Sequence, residues 1–352
     1  MTDYLIVGGG LAGVSVAHVL RKHNKHFQLI DSGVGGASFA AGGVYNPMVL
    51  KRFKMVDGAA MYLDRMHAMF DEISREHKKD FRHPMPILRR LSSFEEQNEW
   101  FLASERYPQY LSDTVVRSDF AGIDAAFGYG EVYQAGWVDV IGFLQFYTEL
   151  LEKENCWRKE EVTYSKFSFE SGFIRYGQQT YRNVIFCEGT AVLRNPFFSY
   201  LPIVRNKGEV LNIKTTVDTN GNMIKAGVFL MPLPNGDYKV GATYNWRSPD
   251  NGPSEEGRKE LMEKLETFLK CEYEVTAHFS GIRPTVPDRQ PLIGKHPQIE
   301  GLYALNGLGS RGVMLAPACA ELLFDFIENQ ADIPQEVNLS RYAARWQPMD
   351  RI

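Results

Sequence analysis

Tyr4-Leu-Ile-Val7-Gly8-Gly-Gly10-Leu-Ala-Gly13 opens the chain, and a second short apolar run, Phe27-Gln-Leu-Ile-Asp31, completes the unit that begins there. The spacing reads as a strand, a tight glycine turn, a helix and a parallel strand. Gly8 permits the turn, Gly10 admits a pyrophosphate close to the backbone, and Gly13 lets the helix pack on the strand. The helix N-terminus adds N–H donors and a partial positive charge. Asp31 follows at about 20 residues, where an acid accepts hydrogen bonds from a ribose. In this context the glycines point to an adenine dinucleotide rather than to a turn that serves packing alone.

The chain has 352 residues, of which 44% are hydrophobic and 23% charged, enough for two domains with substantial cores. Its formal charge of −4 offers no global attraction to a phosphate polymer, so nucleic acid is unsupported as a partner, although a basic patch can sit inside an acidic total. The apolar opening has Asp3 where a signal peptide carries basic residues, and no run approaches the ~20 apolar residues of a membrane span. Cys156, Cys187, Cys271 and Cys319 stand far apart without a CxxC pair, which fits reduced thiols in the cytoplasm better than disulfides or zinc. The histidines are scattered, and no metal site is expected.

After Asp31 comes Ser32-Gly-Val-Gly-Gly-Ala-Ser-Phe-Ala-Ala-Gly-Gly-Val-Tyr-Asn-Pro47, too rich in small residues for a regular helix or a central strand. Ser32, Gly42 and Gly43 belong to this loop, where a ligand can lie against the backbone. Residues 57–79 have the apolar spacing of one long helix whose methionines are core packing. A strand over 85–92, a helix over 94–106, a strand over 130–134, a turn at 135–137 and a helix from 138 to 155 capped by Asp139 follow. The pattern is then strand-rich over 161–169, 172–176 and 182–187, the last run apolar on both faces like a buried parallel strand returning to the first sheet. Residues 204–213, 226–232 and 238–246 form an antiparallel set, with Asn235-Gly236 as a hairpin turn. A helix over 254–270, strands over 273–282 and 302–306, and a helix from Gly312 to about Asn329 complete the chain, Pro317 fitting an early helical turn.

Gly307-Leu-Gly-Ser-Arg-Gly312 repeats the logic of the opening, since it also joins a strand to a helix. Two such helix starts suit a ligand with a diphosphate at one end and a ring that becomes anionic at the other, which describes a flavin dinucleotide and not NAD. Arg283 and Arg311 stand out as candidates to grip a carboxylate, against the alternative of ion pairs with Asp288 or Glu209.

Gly8-x-Gly10-x-x-Gly13, Gly36-Ala-Ser38, Ala135-Gly-Trp-Val-Asp139, Gly281-Ile-Arg-Pro284, Asp288-Arg-Gln-Pro291 and Gly309-Ser-Arg-Gly312 together resemble the FAD-dependent D-amino-acid oxidase, glycine oxidase and sarcosine oxidase family. Within it, residues 36–47 and 307–323 are most similar to the oxidase module of the bifunctional enzymes that make 5-methylaminomethyl-2-thiouridine in tRNA. The resemblance implies an α/β fold, with a Rossmann-like parallel-sheet FAD domain (1–80, 136–200 and 281–352) and an interleaved antiparallel-sheet substrate domain (81–135 and 201–280). It implies that Gly8, Gly10, Gly13 and Asp31 hold the ADP half, that Ala37 and Ser38 flank the pyrophosphate, and that Val162 meets adenine through its backbone. Gly309, Ser310, Arg311 and Gly312 would face the flavin pyrimidine, and Arg283 would bind the substrate carboxylate. Gly281 stands where sarcosine oxidases carry the cysteine that tethers the flavin, so FAD is expected to be non-covalent. Cys187-Glu-Gly189 departs from the family's small-residue triplet, which bears on the contact at Gly189. The tRNA enzyme's methyltransferase module is expected to be absent.

The implied chemistry is oxidation of an amino acid or N-substituted glycine, with Arg311 and Tyr244 as further candidates beside Arg283, and Lys51-Arg52 as either flavin neighbours or a solvated pair. Two alternatives stay open: removal of a carboxymethyl group from a tRNA wobble uridine, and a flavin carrier without amine chemistry.

Overall fold

The computed structural model describes residues 2–33, 35–170, 172–247, 250 and 252–347. They divide into two compact units, the described residues of 1–39, 140–206 and 282–352 forming one and those of 40–139 and 207–281 the other. Residues 40–80, expected with the FAD-binding portion, pack in the second unit. The reason is visible at Val44–Tyr45, which pairs with Gly136–Val138, itself paired with Arg82–Pro84. This also corrects the expected turn at 135–137, which is a strand: an added Cβ on Gly136 would stand 2.4 Å from the His83 carbonyl oxygen, so the glycine permits the pairing.

In the first unit, β1 (Thr2–Val7) lies between β2 (Phe27–Asp31) and Gln179–Phe186, parallel to both, and the row extends in parallel to Trp157–Lys159 on one side and Leu302–Asn306 on the other. Tyr4, Leu5 and Ile6 have no exposed surface, as strands covered on both faces require. The return of Gln179–Phe186 to the first sheet agrees with its sequence. Val7 is level with both Ile30 and Phe186, so the three strands end together at their carboxyl ends. The helix α1 (Leu11–Lys22) packs against Val140–Lys153 and Gly312–Glu328. Asp139 immediately precedes the first of these. Pro317 lies inside the last helix, one turn deeper than the early position expected, where its missing N–H removes the bond to the Val313 carbonyl.

The expected strand over 161–169 reduces to Phe167–Glu170, preceded by a short 3-10 turn at Tyr164–Lys166. Side chains replace the ladder here: the Thr163 N–H donates to the Tyr176 hydroxyl at 3.2 Å, and that hydroxyl donates to Glu160 at 2.8 Å.

The second unit contains most of an antiparallel-rich sheet, in which Phe229–Pro232 and Tyr238–Gly241 form the hairpin expected around Asn235-Gly236. One face of the sheet, carrying Leu88, Leu211, Ile224, Leu230 and Val240, is buried under Leu261 and Leu265 of the helix Glu255–Glu266. Ser254 caps that helix by accepting the Gly257 N–H at 3.1 Å, a contact that contributes about 1 kcal/mol. The long helix Ala59–His77 buries Met66 and Met69 as expected but leaves Met61 exposed.

Candidate functional site

Each opening glycine has its own steric reason. Gly8 has φ +108°, and a Cβ there would lie 2.5 Å from the Cys187 carbonyl oxygen. At Gly13 a Cβ would lie 1.8 Å from the Gly8 carbonyl oxygen, so glycine alone lets α1 approach β1 this closely. Gly10 differs: the Cβ position meets only the Ser38 Oγ, at 3.2 Å. Gly10 is the N-cap of α1 and supplies no side-chain cap, while Ser38 Oγ accepts the Leu11 N–H at 3.3 Å. The 3-10 turn Ala37–Ala40 thus sets Ser38 beside the start of the helix.

Asp31 ends β2 with both carboxylate oxygens engaged, Oδ2 by the Gly9 N–H and Oδ1 by the Gly33 N–H, each at 2.7 Å. A carboxylate has about four lone-pair sites, so two hydroxyls can still be accepted. Gly9, which spacing alone did not single out, thereby ties the glycine turn to the acid.

A second group of loops gathers in the same unit. The strand Tyr273–Thr285 carries Arg283, whose Nη1 donates to Asn206 Oδ1 at 2.8 Å. Asn206 is buried, and its Nδ2 has no hydrogen-bond partner among the described residues. The Pro284 carbonyl accepts the Gly309 N–H at 3.0 Å, and the Pro284 ring is 4.0 Å from the Cβ position of Gly189. Asn306 links these loops, donating to the Gly189 carbonyl at 2.9 Å and accepting the Gly307 N–H at 2.8 Å. Gly309 has φ +55° with open space at its Cβ position, Ser310 is exposed, and Arg311 is the N-cap of the helix Gly312–Glu328. A Cβ on Gly312 would stand 3.2 Å from Leu11 Cδ1, so the two helix starts lie side by side. The backbone amides of two helix N-termini are therefore close together, a setting that favours anions.

The suggested ion pairs for the arginines have other partners: Asp288 accepts from Arg341 at 3.0 Å and Tyr342 at 2.7 Å, and Glu209 accepts from Ser254 and stands 3.3 Å from Lys207. Val162 is half-buried and lies outside any strand, so the strand expected from residue 161 does not include it. Ser32 directly follows Asp31. In the second unit, Gly43 has φ +72° and packs on the Val138 carbonyl, Gly42 lies against Phe229, Tyr244 is 57% exposed, Gly281 is the unit's last residue, and Lys51 and Arg52 are exposed. Asn206 and Asn306 were missed because only their burial marks them; an asparagine closing the apolar run Leu302–Asn306 is the one local signal.

Glu188 explains the unusual triplet. Its carboxylate accepts from the Tyr164 hydroxyl and from Asn195 Nδ2, both at 2.6 Å. Burial pushes its pKa up to about 7, against the lowering effect of those bonds and of Arg194. A carboxyl raised in the folded state binds its proton more tightly there, so the fold loses stability as pH climbs from the ordinary carboxyl range towards 7. Glu188→Gln keeps both bonds, with the amide donating to Tyr164 and accepting from Asn195. Its melting temperature is expected to exceed wild type at about pH 8 and to converge with it at about pH 5, as thermal unfolding would read. Equal gaps at both pH values would contradict this account.

The model of the family described as FAD dependent oxidoreductase matches residues 3–326. The chain belongs to that family. This FAD dependent oxidoreductase is 24% identical to the glycine oxidase of Pseudomonas aeruginosa, over 94% of the chain and 95% of the relative. It is also 24% identical to the tRNA 5-methylaminomethyl-2-thiouridine biosynthesis bifunctional protein of Idiomarina loihiensis, over 91% of the chain but 55% of that protein. The crystal structure of glycine oxidase from Geobacillus kaustophilus superposes with a TM-score of 0.78 at 19% identity, covering 97% of the chain and 98% of the other. The α/β architecture with its parallel sheet is therefore that of the family, the chain is an enzyme, and its cofactor is FAD. The cradle fits this cofactor: Gly10 carries no side chain at the start of α1, Asp31 keeps acceptor capacity, and the buried Asn206 beside Arg283 has an amide without a hydrogen-bond partner among the described residues. Among the described residues no helix is long and apolar enough to cross a membrane.

Proposed function

We propose that this oxidoreductase oxidises the carbon–nitrogen bond of an amino acid or N-substituted glycine. The observation that carries the reading is Arg283, a cation at the end of a strand, steadied by Asn206 and joined through Pro284 to the loops at Gly189 and Gly309. Arg283 grips the substrate carboxylate with its planar fork and so fixes the direction of the neighbouring C–H bond. FAD, when held by the glycine turn and Asp31, would supply the two-electron acceptor for oxidation of the neutral amine to an imine, which water would hydrolyse. Arg311, at the start of a helix, adds positive charge beside the Gly309 turn. The unit made of 40–139 and 207–281, which carries Tyr244, serves as the substrate domain in this reading.

Gly8, Gly10, Gly13, Asp31 and Ser32 hold the ADP half in this reading, Ala37 and Ser38 the pyrophosphate, and Gly309 to Gly312 the flavin ring. Val162 and Gly189 complete the lining within the first unit in this reading. The glycine oxidase relative supports a small amino-acid substrate. The four cysteines are free, in keeping with a cytoplasmic enzyme.

The reading is tested by mixing the flavin-loaded enzyme, without oxygen, against glycine, sarcosine, proline, D-amino acids and a carboxymethylaminomethyl-modified tRNA. Rapid bleaching by a small amino acid supports it, whereas bleaching by tRNA alone overturns it. With glycine at position 281, acid precipitation is expected to release all the FAD into the supernatant; flavin remaining in the pellet would contradict non-covalent binding.

A further inference from the structure

The first unit sets one carboxyl, that of Glu188, against the glycine turn that opens the chain. Cys187 donates its N–H to the Val7 carbonyl at 2.7 Å, and the Glu188 Cα lies 3.4 Å from the Cβ position of Gly8. Glu188 is also the N-cap of the short 3-10 turn Gly189–Arg194, yet its side chain does not cap it. Both oxygens are engaged elsewhere: Oε1 accepts the Tyr164 hydroxyl and Oε2 accepts Asn195 Nδ2, each at 2.6 Å. Asn195 has no exposed surface, and the Phe197 and Phe198 N–H groups hold its Oδ1 at 2.8 and 3.2 Å, so Nδ2 is the end turned to Glu188.

This cluster ties together segments that border the dinucleotide turn. Tyr164 follows Val162 by two residues, in the stretch where side chains replace a strand ladder. Gly189, next to Glu188, is held at its carbonyl by Asn306 at 2.9 Å. The groups that face the carboxyl leave it as the one that titrates near neutral pH. Burial and the neighbouring Glu188 push the Tyr164 hydroxyl up, with Glu161 adding to the effect, so Tyr164 stays neutral. Burial does the same to the Cys187 thiol. Burial also raises Glu188, to about 7, against the lowering effect of Asn195, Tyr164 and the Arg194 guanidinium.

A pyrophosphate held at Gly8 and Gly10 brings negative charge into the same cradle. An ionised carboxyl there is repelled by it, and a protonated one is not. The cluster accommodates both states, because the Tyr164 hydroxyl can turn from donor to acceptor while Asn195 keeps its bond to the other oxygen. An anion that raises the carboxyl's pKa binds more tightly to the protonated protein, and a proton is taken up as it binds. Affinity for the dinucleotide therefore falls as pH climbs through the carboxyl's own pKa.

We propose that Glu188 is a positioning residue whose proton is coupled to FAD binding, the Tyr164–Glu188–Asn195 cluster taking up a proton as the dinucleotide seats against Gly8. The proposal rests on FAD as the cofactor and is independent of the substrate. The enzyme is emptied of FAD and titrated back with it between about pH 6 and about pH 8, where FAD itself has no titrating group. Flavin fluorescence reads affinity, and calorimetry in two buffers of different ionisation heat reads protons. If the dinucleotide raises the carboxyl by about one pKa unit, wild-type affinity falls about fivefold across this range, with proton uptake near its upper end. Glu188→Gln presents the hydrogen bonds of the protonated carboxyl at every pH, so its affinity should be flat and match wild type at about pH 6. Tyr164→Phe removes a donor from the carboxylate, which moves the fall to higher pH and shrinks it within this range. Glu160→Gln is the control: against the raising effect of burial, Tyr176, Arg158 and Lys166 hold that carboxyl below the usual range, so its loss should leave the fivefold fall in place. Wild-type affinity indifferent to pH, no proton uptake, a fall that survives in Glu188→Gln or is undiminished in Tyr164→Phe, or a fall lost in Glu160→Gln would each overturn the proposal. FAD that binds at no pH would overturn the cofactor assignment itself, and the proposal with it.

Discussion

Arg283→Ala is expected to lower kcat/KM for the best amino-acid substrate by about a hundred- to ten-thousandfold while FAD stays bound. A guanidinium–carboxylate contact supplies two charge-assisted hydrogen bonds at once, each worth about 1.5–3 kcal/mol, and every 1.4 kcal/mol is tenfold. The substitution also strips the buried Asn206 Oδ1 of its donor, at a cost to stability of about 1–3 kcal/mol, so the melting temperature should be measured beside the kinetics. Arg283→Lys separates the two effects, since it retains a charge and a single donor but loses the fork. Its rate should fall between those of wild type and Arg283→Ala. An alanine variant that keeps wild-type kcat/KM, with FAD bound, would remove Arg283 from the substrate site.

Gly13→Ala should cost more than any surface change in this chain. The added methyl would stand 1.8 Å from the Gly8 carbonyl, a backbone atom that no side-chain rotation can move away. Overpacking costs about 1–3 kcal/mol where neighbours can shift, and here α1 itself must retreat from β1, so a loss of about 3 kcal/mol or more is expected. Retreat of the helix also carries its N-terminal amides out of the cradle, and FAD affinity falls with stability. Gly10→Ala is the contrasting case, because its methyl meets only a serine hydroxyl at 3.2 Å. That variant should unfold as wild type does without cofactor yet bind FAD more weakly. Thermal unfolding of the apoprotein, paired with FAD titration by fluorescence, reads both quantities. A Gly13→Ala protein with unchanged unfolding would contradict the packing described here.

Neighbouring residues were enough where one stretch of chain determines its own structure. β1, α1 and β2 were legible because an apolar run, three glycines and an acid at fixed spacing are local, and Gly8 and Gly13 each face a backbone oxygen that no side chain could approach. The hairpin at Asn235-Gly236, the helix Phe94–Arg106 and the family itself were legible for the same reason. The strand Gly136–Val138 was not, since its partners lie at 44–45 and 82–84 and its residues read locally as a turn. Nor was the assignment of residues 40–80, which follow the dinucleotide motif in sequence but pack with the other unit.

The site divides along the same line. Glycines and Asp31 declare themselves by spacing, whereas Asn206 reaches Arg283 from 77 positions away and Asn306 reaches Gly189 from 117. Burial turns Glu188 from an odd letter in a motif into a carboxyl whose pKa rises to about 7. Sequence alone established the fold class, the dinucleotide and the candidate arginine, because those depend on local backbone geometry and residue chemistry. Only the tertiary structure decided which polar groups meet and which are left unanswered, because desolvation and pairing depend on residues brought together from distant parts of the chain.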